Sequence, residues 1–257
     1  MKSKLFSLEG RVIALTGGYG WLGTAIAKGL ASHGGSIYVL GRSRDRFEAA
    51  LGDQPVHFVE CDVGHSLSID TAFANVKKIA GGLNVLINNA FYCRGSDPEV
   101  ISDEDWAYSL DGTLGTVHRS IRASIPHLKE QKDSRIINVS SMYGLVSPNF
   151  SIYEKSRQQR STPCYGAAKA AVIQLTRYYA VLLGSYGINV NCVTPGAFPS
   201  KETQANTEFV AQLNAKTPLG RIGQPEELQG AFVFLSSHAA SFVTGHNLVV
   251  DGGWTAW

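Results

Sequence analysis

The sequence predicts an α/β fold, a doubly wound parallel seven-stranded sheet in a single domain spanning residues 1–257. Three observations lead there. Short apolar runs rich in Val and Ile recur along the chain, amphipathic helical stretches separate them, and the first run opens onto a glycine-rich turn before a helix. Strands covered on both faces read as continuous hydrophobic runs, and helical crossovers are what a parallel sheet requires.

The predicted strands are 12–16, 37–41, 56–62, 85–88, 135–139, 189–193 and 247–250. A first helix is expected over 20–33, with Leu22, Ala25, Ile26 and Leu30 on one face and Gly34 as its stop. A second long helix is expected over 165–186, with Ala168, Val172, Leu175 and Tyr179 at helical spacing. Between these elements, residues 147–163 are polar and charged and are bounded by Pro148 and Pro163. They read as a long loop, and a loop of that length inside a compact domain is usually functional.

Composition narrows the function. With 44% hydrophobic and 17% charged residues the chain can fill a core, and a net charge of +2 without a basic stripe argues against a nucleic-acid partner. The opening residues lack the apolar run of a signal peptide or membrane span, so a cytoplasmic protein with no membrane partner is expected. Four cysteines show no CxxC spacing and seven histidines no HExxH, so no metal or disulfide framework is proposed. A GxSxG elbow is absent, which disfavours a hydrolase.

The first strand runs into TGGYGWLG, comprising Thr16, Gly17, Gly18, Tyr19, Gly20, Trp21, Leu22 and Gly23, and then into a helix. Glycines permit a tight turn, and the free N–H groups at the helix start face a pyrophosphate, as in dinucleotide sites. After the second strand come Gly41, Arg42, Ser43 and Arg44, with no carboxylate before Asp45. An acid at that point would grip a ribose 2′-hydroxyl, whereas a guanidinium accommodates a 2′-phosphate. NADP(H) is therefore expected, with NAD(H) as the alternative.

Tyr165 and Lys169 lie four residues apart, so a helix presents both on one face. A free phenol has a pKa of ~10 and is a poor base, but a neighbouring ammonium and an oxidised nicotinamide stabilise the phenolate and lower that value. Ser141 follows the apolar run IINVS, where a hydroxyl could bind a carbonyl oxygen.

Together TGGYGWLG, NNA at Asn88 to Ala90, Ser140 and Ser141, YGAAK at Tyr165 to Lys169, Pro195 with Gly196, and VTGHNLVVDGG at the end resemble the short-chain dehydrogenase/reductase family. The resemblance implies a Rossmann-type fold and a nicotinamide-dependent oxidoreductase. It makes Tyr165 the acid/base, has Lys169 hold the nicotinamide ribose, and has Ser141 orient the substrate. It sets Asp62 against adenine and Asn89 against the adenosine ribose, with Val63, Ala90 and Pro195 among the cofactor contacts. Val193, Gly196, Phe198 and Ser200 would follow the nicotinamide, and a homotetramer is the family's common assembly.

Four departures stand out. Trp21 replaces the middle glycine of the family's turn, and Gly20 falls one position earlier. Phe91 replaces the glycine after NNA and should crowd the cofactor side of the pocket. Thr113 stands seven residues after Trp106 where the family has a catalytic asparagine, and its hydroxyl lacks the amide's donor and acceptor pair. Ser141 precedes Tyr165 by 24 positions instead of about a dozen, which leaves Tyr153 with Arg157 as a rival pair. The helix AAVIQLTRYYA after Lys169 favours Tyr165 and makes 147–163 an active-site insertion.

Substrate choice then rests on 91–105, the insertion and 197–215. Lys155, Arg157 and Arg160 are expected near the pocket mouth, where they could meet an anionic group. The YGWLG turn, the DGT stretch and the terminal DGGWTAW resemble bacterial sugar-modification dehydrogenases of surface-glycan and flagellin-sugar pathways. A sugar or sugar-phosphate hydroxyl/ketone couple is expected, with a β-ketoacyl or other small ketone as the rival substrate. A non-catalytic NADP-binding sensor or scaffold is the reading from another class. Trp254 and Trp257 are expected at a contact between subunits.

Overall fold

The computed structural model describes residues 4–95 and 97–257. Its elements are β1 (Val12–Thr16), α1 (Trp21–Ser32), β2 (Ser36–Gly41), α2 (Arg44–Leu51), β3 (Val56–Glu60), α3 (Ser66–Ala80), β4 (Val85–Asn88) and α4 (Asp103–Leu110). There follow α5 (Thr116–Lys129), β5 (Ser134–Val139), α6 (Pro163–Leu183), β6 (Ile188–Pro195), α7 (Lys201–Gln204), α8 (Thr207–Lys216), α9 (Gln229–Ser236) and β7 (Asn247–Val250). The strands form one seven-stranded sheet in the order β3-β2-β1-β4-β5-β6-β7. All its pairings are parallel. This is the doubly wound α/β sheet the sequence predicts. Among the described residues no helix is long and apolar enough to cross a membrane.

Alternate side chains of each central strand feed two cores. On one face Leu86 and Ile136 pack with Val76, Ile121 and Val172 from α3, α5 and α6. On the other, Ile13, Ile87 and Ile137 pack with Ile26 and Leu30 of α1 and Phe232 of α9. Burying such side chains contributes roughly 1.5–3 kcal/mol each, which fixes the strand register. Strand order reverses between β1 and β4, and this switch point opens a crevice beyond the strand ends.

Element boundaries differ where tertiary contacts extend or shorten a local signal. β6 reaches Pro195, beyond the expected 193, because Cys192–Pro195 pair with Asn247–Val250 of β7. Proline is tolerated at that strand end, where a missing N–H does little harm. α6 starts at Pro163 instead of 165, since a proline in the first turn lacks only a donor that would go unpaired.

The segment 147–163 is more ordered than a plain loop. It contains 3₁₀ turns at Phe150–Tyr153 and Arg157–Gln159. Ile152 and Tyr153 are buried in a third cluster with Met142, Ala197, Phe209, Leu213 and Trp254. Trp254 is thus buried within its own chain at 7% exposure, contrary to its expected role at a contact between chains, whereas Trp257 stays 79% exposed.

At the opposite end of the strands lies a buried cation. The Arg135 side chain is fully buried and meets Asp133 at 2.5 Å, and Arg11 pairs with the same carboxylate. Asp133 has φ +62°, a conformation that costs a non-glycine residue energy but aims its carboxylate at both arginines. Burial alone would raise the Asp133 carboxyl, yet hydrogen bonds and charge from Arg135 and Arg11 hold it below the usual range. Its contribution is present above the unfolded carboxylate pKa and is lost as pH falls through the lowered folded value. Asp133→Ala is expected to cost about 3 kcal/mol in urea unfolding at neutral pH, because it strands the Arg135 charge. A loss below about 1 kcal/mol would contradict this role.

Candidate active site

The crevice at the switch point is a cavity of about 470 Å³, running from the end of β2 past the glycine turn to β5 and α6. That size suits a small molecule or part of a cofactor. The turn depends on glycine at two places. Gly17 has φ +64°, and a Cβ there would lie 3.1 Å from Ala90; a Cβ at Gly23 would lie 2.3 Å from the Gly17 carbonyl oxygen. α1 begins after Gly20 with no side-chain cap, so its first amides face the cavity unblocked. Trp21, in place of a glycine, sends its indole N–H across the crevice to the Phe198 carbonyl at 3.1 Å.

Thr16 holds the turn against β4. Its hydroxyl accepts the N–H groups of Asn89 and Ala90, each at 3.0 Å, and donates to the Ile87 carbonyl. Asn89 returns the contact, its side-chain amide donating to the carbonyls of Thr16 and Gly17 at 3.1 and 3.0 Å.

At the other end of the cavity, α6 is tied to β5 by two bonds. Lys169 Nζ donates to the Val139 carbonyl and Ser140 Oγ to the Lys169 carbonyl, both at 2.8 Å. Ser141 caps the next 3₁₀ turn, its Oγ accepting the Tyr143 N–H at 3.2 Å. The Lys169 ammonium lies 5.6 Å from the Tyr165 ring and 5.0 Å from that of Phe91. Phe91 in turn packs 5.6 Å from Tyr165, in the crowding position expected of it.

Burial dominates protonation at this end of the cavity. Among the chain's own groups, burial pushes the Tyr165 phenol up to about 12, with a hydrogen bond from Ser141 pulling the other way. Burial also pushes the Lys169 ammonium down to about 8. The phenol is therefore held protonated at neutral pH and stands ready as an acid.

The cavity gathers Gly17, Tyr19, Gly20, Trp21, Leu22, Gly23 and Arg42 of the expected residues. Asp62, Val63, Asn89, Ala90, Ser141, Tyr165, Lys169, Pro195, Gly196 and Phe198 line it as well. Five others do not reach it, among them Val193, which is fully buried within β6 instead of following the nicotinamide. Thr16 acts from behind, and Ser43 and Ser200 cap α2 and α7, accepting the N–H of Arg46 and Thr203. Thr113 is fully buried in a π-helical turn at Asp111–Gly115, and its hydroxyl has no partner among the described residues. Each hydroxyl is directed by its backbone position, which a motif does not reveal.

The rival pair is also placed. Tyr153 is buried in the third cluster, hydrogen-bonded to the Tyr143 hydroxyl, and does not line the cavity. Lys155 is bound to Glu208 at 2.7 Å, and Arg160 stacks over Phe150. Together with Arg157 they stay away from the cavity, so the expected anion-binding rim is not formed by these groups. Sequence reasoning missed Arg46 and Tyr92 as lining residues. Arg46 lies in the first turn of α2, three residues after its cap Ser43, and the cap signal could have marked it.

A doubly wound sheet, a glycine turn feeding a helix and a Ser/Tyr/Lys group in the same crevice define a nicotinamide-type oxidoreductase. Comparison with known proteins agrees. Residues 21–255 match the family described as enoyl-(acyl carrier protein) reductase. 5-Keto-D-gluconate 5-reductase of Escherichia coli is 35% identical over 97% of this chain and 97% of its own. 3-Oxoacyl-(acyl-carrier-protein) reductase of Chlamydia muridarum is 31% identical over 96% and 98% of the two chains. The structure of a gluconate 5-dehydrogenase from Burkholderia cenocepacia, in complex with NADP and tartrate, superposes with a TM-score of 0.88 at 28% identity. That superposition covers 99% of this chain and 98% of the other. The chain belongs to the short-chain dehydrogenase/reductase family and is an oxidoreductase.

The two perturbed groups set a pH dependence. As pH rises through about 8, Lys169 loses its charge while Tyr165, at about 12, keeps its proton. The kcat/KM for carbonyl reduction should fall above that pH, and a profile level from about 7 to about 10 would show that the Lys169 charge is not used.

Proposed function

We propose that this chain is an NADP(H)-dependent reductase/dehydrogenase that interconverts a ketone and a secondary alcohol on a sugar or sugar derivative. The observation that carries the reading is the convergence of Tyr165, Ser141 and Lys169 in one cavity whose other end presents Arg42 and Arg46. The residues fit the dinucleotide. The glycine turn leaves the α1 amides free for a pyrophosphate, Asp62 and Val63 suit adenine, and Arg42 suits a 2′-phosphate. Bound nicotinamide would supply or accept the hydride.

The chain's own groups handle the oxygen. Ser141 holds the substrate oxygen by a hydrogen bond, and the Tyr165 hydroxyl gives its proton to that oxygen during reduction and recovers it during oxidation. Lys169, fixed by the Val139 carbonyl, keeps an ammonium where ribose hydroxyls can accept from it. Thr113 stays outside the reaction, because it does not line the cavity.

A sugar substrate is supported by the relatives that act on gluconate and 5-ketogluconate, and by the aromatic walls Phe91, Tyr92 and Phe198. Within that class the surface-glycan or flagellin-sugar role remains our reading of the YGWLG, DGT and DGGWTAW stretches. A β-ketoacyl thioester is the second reading, favoured by the match to an acyl-carrier-protein reductase. The segment 147–163 then serves as an insertion that braces α8 through Lys155 and Glu208. A cytoplasmic homotetramer fits the exposed apolar side chains Tyr178, Val181 and Leu182 on α6.

Turnover of 5-ketogluconate, nucleotide-linked and phosphorylated ketosugars and β-ketoacyl thioesters with NADPH and NADH tests this assignment. The highest kcat/KM is expected for a ketosugar with NADPH; preference for the thioester would transfer the chain to the second reading. Tyr165→Phe should lower kcat by ~10²–10⁴-fold with cofactor binding kept, and a variant with full turnover would remove Tyr165 from the chemistry.

A further inference from the structure

We propose that the Tyr19 hydroxyl, with Arg46, reads the 2′-position of the cofactor's adenosine ribose by donating a hydrogen bond to a 2′-phosphate. The proposal rests on the NADP(H) reading above and assigns its selectivity to particular side chains. Tyr19 is the third residue after Thr16 in the glycine turn, and its ring lies across Gly41 at the end of β2. A Cβ at residue 41 would stand 2.3 Å from the ring and 2.7 Å from its oxygen, so the glycine is what lets the phenol lie there.

The phenol oxygen accepts two backbone N–H groups, Arg42 at 2.9 Å and Ser43 at 3.2 Å. These bonds fix its position and occupy its lone pairs, leaving its own hydrogen without an acceptor among the described residues. Two donors on one oxygen also polarise that O–H and strengthen it as a donor. The Arg46 guanidinium sits 5.5 Å from the centre of the same ring, and Tyr19, Arg42 and Arg46 all line the cavity.

The result is a cluster of donors: one oriented hydroxyl and two guanidinium groups. A phosphate can accept from all three, whereas an unphosphorylated ribose hydroxyl finds no carboxylate there to receive its proton. Asp62 is the carboxylate among the lining residues, and the reading above sets it against adenine, not against the ribose 2′-position. Asp45 lies in the first turn of α2 and does not line the cavity.

Calorimetric titration with the fragments 2′,5′-ADP and 5′-ADP tests the proposal without relying on turnover. The wild type should bind 2′,5′-ADP more tightly. Tyr19→Phe should weaken 2′,5′-ADP binding by about tenfold or more, the loss expected for a hydrogen bond to a charged group, and leave 5′-ADP within about twofold. Arg46→Gln should show the same selective loss, and Gly41→Ala, which displaces the ring, should abolish the preference. Unchanged or tighter 2′,5′-ADP binding by Tyr19→Phe would overturn the proposal, showing that the hydroxyl is a spacer or a plug. Equal loss of both fragments would overturn it as well, since it would mark a general positioning role. A wild type that does not distinguish the fragments would instead bring down the NADP(H) reading itself.

Discussion

The site depends first on the hydrogen bonds that join the end of β1 to the end of β4. Strand order reverses between these two neighbours, so their chains diverge to opposite faces and leave a gap. Thr16 and Asn89 bridge that gap with reciprocal bonds between side chains and backbone. The glycine turn is thereby held against Ala90, with Gly17 in a left-handed conformation and Ala90 only 3.1 Å from where a Cβ would stand. A loose turn would lose the alignment of the α1 amides on which anion binding relies.

The Tyr165 end of the cavity is built on a similar lock, but its consequence is electrostatic. Lys169 and Ser140 tie α6 to β5, which draws a lysine into a nearly dry position with a backbone carbonyl as its hydrogen-bond partner. Removing water disfavours the charged form of any group, so the same burial lowers the lysine and raises the tyrosine. The tyrosine's resting form is a phenol that can give a proton, which suits carbonyl reduction.

The insertion shows how far local appearance can mislead. A run with Lys155, Arg157 and Arg160 looks like an anion-binding rim, and Tyr153 stands at the spacing from Ser141 that the family gives its tyrosine. In the fold, Ile152 and Tyr153 are drawn into a core with Phe209 and Trp254. Burying that apolar surface outweighs leaving the rings at the pocket mouth. Lys155 follows and pairs with Glu208, so the segment supports the α8 side of the cleft.

The sequence by itself determined the sheet, because strands buried on both faces must be continuous apolar runs and crossovers must be amphipathic. It also determined the glycine turn and the Tyr165, Lys169 and Ser141 group, since each is a short pattern with its own geometric requirement. Tertiary structure alone decided which hydroxyls reach the cavity. Thr16, Ser43 and Ser200 were taken up by backbone N–H groups, and Thr113 was enclosed in a π turn. It also decided the resting charge of Tyr165 and Lys169 and brought Arg46 beside Tyr19. Burial and hydrogen-bond partners come from segments far apart in the chain, and no local spacing carries that information.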